Sequence, residues 1–275
     1  MLDGTMDGAG LDLARTMRSG QFFRYKESDE GASVVFLVLT EGKAIRLTQS
    51  HTGAPINYSG ASKEFIARFL GLTKGQDVTV MRLKDDPLIA PLIAKYPGVR
   101  IMRADPHETI IGFICSTQSN IPKIRMNMER IAELAGRTVD GHRHLPLPGT
   151  PLDIEAIRNA KTGYRAPYIA ASNAMLTKGF LDTLRSAPYR EAHAMLQTLP
   201  GVGPKVADCV CLYALGHHEA FPVDVHIGRA MKKAFPRSRL GTPEKARRFA
   251  QQRWGKDAGL AQQYLFEHAR AGGFG

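Results

Sequence analysis

The chain of 275 residues is poor in cysteine, with only Cys115, Cys209 and Cys211, carries a single tryptophan, and is short of acidic side chains. An odd cysteine count without paired spacing argues against a disulfide framework and suits a reducing compartment. Nine histidines are present, yet His142, His144, His217 and His218 lie in turn-like stretches without a companion cysteine or acidic ligand set, so no metal and no cofactor is expected. No uninterrupted apolar run reaches membrane length, and the N-terminus lacks a basic-then-apolar export pattern. The expectation is a soluble intracellular protein without a membrane partner, and neither an internal repeat nor a low-complexity tract interrupts it.

What the chain has is positive charge. Lysine and arginine number 37 against 26 acidic residues, a net charge of +11. The excess is uneven: residues 1–60 carry 6 Lys/Arg against 7 Asp/Glu, whereas residues 61–275 carry 31 against 19. Nucleic acid is the natural partner of so basic a stretch, although a solvated basic surface has the same composition.

Hydrophobic periodicity gives a mixed chain. Residues 1–16 are rich in glycine and aspartate and read as a loose leader. Val34–Leu39 and Ala44–Thr48 are β-rich runs around Glu41-Gly42, a hairpin signal. Ala61–Leu72 reads as an amphipathic helix, and Asp86–Tyr96 as another with Pro87 in its first turn. Asp77–Leu83 alternates like a strand and equally suits a helix start. From Asp105 onward the pattern is helical: Glu108–Ser116, Ile121–Ala135, Leu152–Ala160, Ala166–Thr177, Phe180–Arg185, Tyr189–Thr198, Val206–Leu215, Thr242–Trp254 and Ala258–Ala271.

The chemistry concentrates in Leu199-Pro200-Gly201-Val202-Gly203-Pro204-Lys205, followed by Pro222-Val223-Asp224-Val225-His226. Gly201 and Gly203 allow backbone conformations closed to other residues, and Pro204 suits a first helical turn. Such a turn between two helices can aim free N–H groups at a phosphate without reading bases. Lys205 then stands at the positive end of a helix, and a lysine amine, once unprotonated, is a carbon nucleophile. Asp224 reads as a helix N-cap whose carboxylate can stabilise positive charge developing on a sugar ring. Taken singly, Lys205 reads more simply as a phosphate contact and Asp224 as a cap; at this spacing the pair favours catalysis.

These residues carry a resemblance to the helix-hairpin-helix DNA glycosylases, and among them to the 8-oxoguanine DNA glycosylases. Phe113-Ile114-Cys115-Ser116 with Asn120-Ile121 resembles the segment that fills the hole left by an extruded base. Gly163-Tyr164-Arg165-Ala166 resembles the strand-wedging turn, and Ser19 to Arg24 the start of the extra N-terminal domain. The resemblance implies that Lys205 attacks C1′ of the damaged nucleoside, that Asp224 steadies the charge, and that the resulting Schiff base leads to strand cleavage. It implies that the Gly20 carbonyl accepts the N7–H that 8-oxoguanine has and guanine lacks, that Cys209 and Phe266 sandwich the base, and that Gln262 meets its pairing edge. From pattern alone, Phe266 is a core aromatic and Cys209 a small buried hydrophobe. The four-cysteine run of the iron–sulfur relatives is missing.

Three positions depart from the better-known eukaryotic pattern. Gln118 stands where an asparagine would enter the gap, Lys123 where an arginine would meet the estranged cytosine, and Tyr213 where a methionine would line the pocket. Lysine lacks arginine's bidentate fork, which leaves the opposite-base preference open, with Arg165 as the remaining strong contact. The expectation is therefore an α+β protein: a mainly helical, two-lobed helix-hairpin-helix core with an N-terminal antiparallel sheet, divided at 17–104, 105–234 and 235–275. It is expected to act as a monomer on damaged double-stranded DNA, with the hairpin glycines, Gln118, Asn120, Lys123, Tyr164, Arg165 and His226 as DNA contacts. Removal of another damaged base, alkylated or formamidopyrimidine, and a non-catalytic DNA-binding module remain as alternatives.

Overall fold

In the computed structural model, residues 3–274 are described. The N-terminal portion is an antiparallel five-stranded sheet in spatial order β1-β5-β4-β3-β2, built from β1 (Gly4–Met6), β2 (Tyr25–Glu30), β3 (Ser33–Thr40), β4 (Lys43–Gln49) and β5 (Ile56–Ser59). Register is set by one face: Phe36 opposes Leu47 and Val38 opposes Ile45, and all four are at most 1% exposed. Burying each such side chain stabilises the fold by about 1.5–3 kcal/mol. Short helices α1 (Leu13–Arg18) and α2 (Lys63–Phe69) cover that face.

Of the leader expected over residues 1–16, residues 1–2 lie outside the described residues, and the remainder is instead part of the fold. Gly4–Met6 pairs with Ile56–Tyr58, and Leu11 and Leu13 are buried. Asp12 caps α1 by accepting from the Arg15 N–H at 2.8 Å. The glycines that suggested looseness serve turns, and the intervening apolar residues fill the sheet's core.

The rest is mainly helical: α3 (Lys74–Leu83), α4 (Ala90–Lys95), α5 (Pro106–Cys115), α6 (Ile121–Ala135), α7 (Ile154–Ile157), α8 (Ala166–Met175), α9 (Lys178–Ser186), α10 (Tyr189–Leu196), α11 (Pro204–Val210), α12 (Val225–Ala234), α13 (Pro243–Trp254) and α14 (Ala258–Arg270). Many begin at a side chain that accepts from the N–H three residues on, as at Thr73, Asp105, Asn120, Thr177, Asp224 and Thr242. Residues 77–83 are thus helical, because Thr73 caps there.

Three expected boundaries shift. Pro87 lies ahead of α4 in a turn held by Asp86, whose carboxylate accepts from the N–H groups of Leu88 and Ile89. The helix expected over 152–160 widens into a π turn after Ile157 and breaks at Lys161, where φ is +61°. His142–His144 forms a strand, β7, paired with β6 (Arg137–Val139), because Asp140 and Gly141 supply a positive-φ turn.

Two apolar cores result, one under the sheet and a larger one among the helices. They are joined by buried polar groups. Glu108 on α5 accepts from the Thr40 hydroxyl at 2.7 Å and the Glu41 N–H at 3.0 Å, and burial pushes its carboxyl up to about 8. Arg24, 2% exposed, reaches Glu129 on α6 and the Arg143 carbonyl. Helix α14 lies beside α3, α4 and α12, and its Gln263 and Arg270 donate to the carbonyls of Ser19 and Arg18.

Candidate active site

The hairpin joins α10 to α11, with Leu199 and Val202 buried beneath it. Gly201 has φ +80°, and a Cβ there would come within 2.9 Å of the Tyr168 Cβ. Only glycine satisfies both conditions. Gly203 is different: at φ −92°, ψ −179° it is extended backbone that any residue adopts, and an added Cβ meets nothing within 4 Å. The expected need for conformational freedom therefore applies to Gly201 alone. Gly203 leaves bare backbone at the surface, where an anion can approach closely.

Between the helical lobes lies a cleft of about 1040 Å³. The first residues of α6, α11, α12 and α13 all line it: Ile121, Pro204, Val225 and Pro243. Four helix N-termini, each with unpaired N–H groups and a partial positive charge, thus face one space. Arg229, Lys232 and Arg270 add full charges to the same walls. The first two follow His226 at helical spacing on α12, a pattern the sequence reading passed over.

At the bottom of the cleft a recess of about 40 Å³ is lined by Gly20, Phe113, Lys205, Cys209, Tyr213, Pro222, Asp224, Gln262 and Phe266. Every residue expected to act on the base or the sugar is therefore assembled here, from segments more than two hundred residues apart. The Lys205 Nζ donates to the Ser116 hydroxyl at 3.1 Å and lies 5.1 Å from the centroid of the Phe113 ring. Neither Ser116 nor Phe113 was assigned to the amine from sequence, although both belong to the segment singled out there. Asp224 caps α12, its carboxylate accepting the Ile227 N–H at 2.8 Å. That bond fixes one carboxylate oxygen and aims the group at the recess it lines.

The walls of the recess are neutral and ordered. Burial pushes the Cys209 thiol up to about 12, so it presents an uncharged, polarisable face. Gly20 has φ +84°, and a Cβ on it would press on Ile121 at 2.9 Å. Phe113 stacks on Tyr213 with centroids 5.7 Å apart and planes 20° apart. Burial holds the Tyr213 hydroxyl well above the ordinary tyrosine range, so it keeps its proton. That hydroxyl reaches the side-chain oxygens of Gln262 at 3.3 Å and Gln263 at 2.9 Å. Gln263 was not anticipated.

The remaining expected contacts fall into two groups. Gln118, Asn120, Gly201, Gly203 and His226 line the cleft. Gln118 sits at φ +49°, and Asn120 caps α6 through its side chain. Lys123, Tyr164 and Arg165 stand outside the cleft lining. Lys123 is exposed on the first turn of α6. Tyr164 is 52% exposed, whereas Arg165 is 4% exposed. Its guanidinium donates to the carbonyls of Thr117 at 2.9 Å, Gln118 at 3.2 Å and Thr162 at 3.0 Å, which ties the Gln118 turn to the Tyr164 turn.

The chain is similar to known proteins in sequence and in structure. Residues 5–110 match the family model described as "8-oxoguanine DNA glycosylase, N-terminal domain". The chain is 35% identical to the N-glycosylase/DNA lyase OGG1 of Arabidopsis thaliana over 283 residues, covering 93% of this chain and 76% of that one. Its structure is similar to MBOgg1 in complex with a low-affinity DNA ligand, with TM-score 0.88, 30% identity, and coverage of 99% and 97%. It is similar also to the 8-oxoguanine glycosylase/lyase of Clostridium acetobutylicum in complex with double-stranded DNA containing cytosine opposite 8-oxoguanine, with TM-score 0.86, 25% identity, and coverage of 98% and 96%.

Proposed function

The chain belongs to the 8-oxoguanine DNA glycosylase family, and from that membership we propose how its own residues remove an oxidised purine from duplex DNA and open the strand. It is an N-glycosylase and DNA lyase of base excision repair. The hairpin and the four helix starts hold phosphates, while the exposed ring of Tyr164 and the Gln118 side chain take up the space from which the nucleotide is everted. The everted base enters between Cys209 and Phe266, with the Gly20 carbonyl facing N7 and the Gln262 amide facing the pairing edge. Guanine presents a lone pair at N7, so the same carbonyl repels it.

The amine of Lys205 then bonds to C1′ as the C1′–N9 pair leaves with the base, which takes up a proton. Positive charge on the sugar during this exchange is met by Asp224. The amine's lone pair opens the sugar ring to give an imine to C1′. Loss of a C2′ proton then expels the 3′ phosphate, so one nucleophile serves both activities. A single copy suffices, since one chain supplies every wall of the cleft, and the buried thiols of Cys115, Cys209 and Cys211 suit a reducing cell interior.

The observation that carries the reading is the Lys205 amine at the mouth of a recess shared with Asp224, Cys209 and Phe266. Borohydride reduction during turnover on an 8-oxoguanine duplex is expected to trap the protein covalently on DNA. Lys205→Gln should abolish the adduct while the duplex is still bound; undiminished trapping by that variant would remove Lys205 as the nucleophile.

A further inference from the structure

We propose that the Tyr213 hydroxyl and the Gln263 amide form a specificity-determining relay that, together with the Pro222 carbonyl, sets the orientation in which Gln262 meets the base. This inference rests on the reading above and concerns the same recess.

Gln262 is 3% exposed and Gln263 is fully buried, so neither amide is turned by solvent. A side-chain amide has two orientations that exchange its donor and acceptor ends. The Gln262 nitrogen donates to the Pro222 carbonyl at 3.2 Å; the reverse orientation would set two oxygens against one another there. Its oxygen is thereby directed to the Tyr213 hydroxyl at 3.3 Å. Gln263 is fixed by the same logic, its nitrogen donating to the Ser19 carbonyl and to Glu267, both at 3.4 Å. Its oxygen therefore also faces the Tyr213 hydroxyl, at 2.9 Å.

A tyrosine hydroxyl has one hydrogen to give. Two carbonyl oxygens compete for it, and Gln263 holds the shorter bond. The Gln262 oxygen is left oriented but under-used, an acceptor ready for a donor on the incoming base. Guanine-type rings carry donors at N1 and at the 2-amino group, whereas adenine-type rings carry an acceptor at N1. The relay thus favours the oxidised guanine edge. It also ties that edge to the Ser19–Gly20 turn through Gln263, so the two points at which the base is inspected are held by one set of hydrogen bonds. Without the hydroxyl both glutamine oxygens lose their donor, and the Gln262 amide is held by the Pro222 carbonyl with nothing ordering its oxygen end.

The test compares 8-oxoguanine with 8-oxoadenine, each opposite cytosine. Both carry the 8-oxo group and the N7–H, so Gly20 sees no difference and only the pairing edge changes. Single-turnover excision is measured for both bases together with cleavage of a preformed abasic site, which needs no base recognition. Tyr213→Phe keeps the ring stacked on Phe113, and Gln263→Met keeps the length of the side chain. In each variant the 8-oxoguanine to 8-oxoadenine rate ratio is expected to fall about tenfold, well beyond any fall in abasic-site cleavage. The double variant should lose no more selectivity than either single one, because both break one network. A ratio equal to that of the wild type in either variant, or losses that multiply in the double variant, overturns the relay. Failure of the wild-type protein to cleave the abasic site or to excise 8-oxoguanine would instead overturn the reading on which the relay rests.

Discussion

The hairpin and the base recess solve their problems differently. The hairpin is local: Leu199 to Lys205 are consecutive, and what they offer a phosphate is backbone N–H, a helix start and one amine. The recess is assembled from Gly20, Phe113, Cys209, Tyr213, Asp224, Gln262 and Phe266, contributed by five separate stretches of chain. Holding DNA needs only geometry repeated along any backbone, and a short motif supplies it. Choosing a base needs donors and acceptors at fixed places on an enclosed surface, and that requires the whole fold. Lys205 and Asp224 sit where the two meet.

The comparison is broken most severely at that junction. Asp224→Asn should slow base excision about 100- to 1,000-fold, the scale of losing one preorganised charge-stabilising group. Asparagine caps helices as well as aspartate, so the thermal midpoint should stay near that of the wild type. Excision within a few-fold of wild type would show that the carboxylate only caps α12.

Within the hairpin, the two glycines are expected to separate. Gly201→Ala forces a side chain into φ +80° against Tyr168 and should cost about 2–4 kcal/mol of stability by denaturant titration. Gly203→Ala should change stability by less than about 0.5 kcal/mol yet weaken binding to a duplex carrying a reduced abasic site several-fold, because the added methyl stands where a phosphate approaches. Equal damage to the fold from both substitutions would contradict the distinction.

The smallest effect is expected at the seam between the two cores. Glu108 is raised to about 8 by burial, so the folded protein keeps a proton there that the unfolded chain releases near 4.5. Its contribution to stability is complete at low pH and is lost as pH rises from about 4.5 through 8. Denaturation midpoints should therefore fall between pH 5.5 and 8.5, and Glu108→Gln should flatten that slope; an unchanged slope would assign it to other groups.

The same contrast explains what was legible in the sequence. The hairpin, the cap at Asp224 and the helix over Ile121–Ala135 are written in contiguous residues, so periodicity and capping chemistry reveal them. The oxidised-base pocket could be approached only through family resemblance, and even then Gln263 and Ser116 stayed hidden. Gln263 reads as one more polar residue on a helix until the fold brings Tyr213 to it from fifty residues away. Residues 4–16 were misread for a related reason. Their glycines signal looseness when composition is weighed alone, whereas the pairing of Gly4–Met6 with β5 is a long-range fact. Arg165 is the reverse case: its neighbours marked it as a DNA contact, while the structure shows its guanidinium engaged by the carbonyls of Thr117, Gln118 and Thr162.

The resting volume of the recess, about 40 Å³, is room for a water molecule and not for a purine. A nucleobase that enters between Cys209 and Phe266 therefore has to widen the recess as it arrives. Part of the binding energy of an everted base is then spent on making room, so a base that forms few contacts inside gains little by entering.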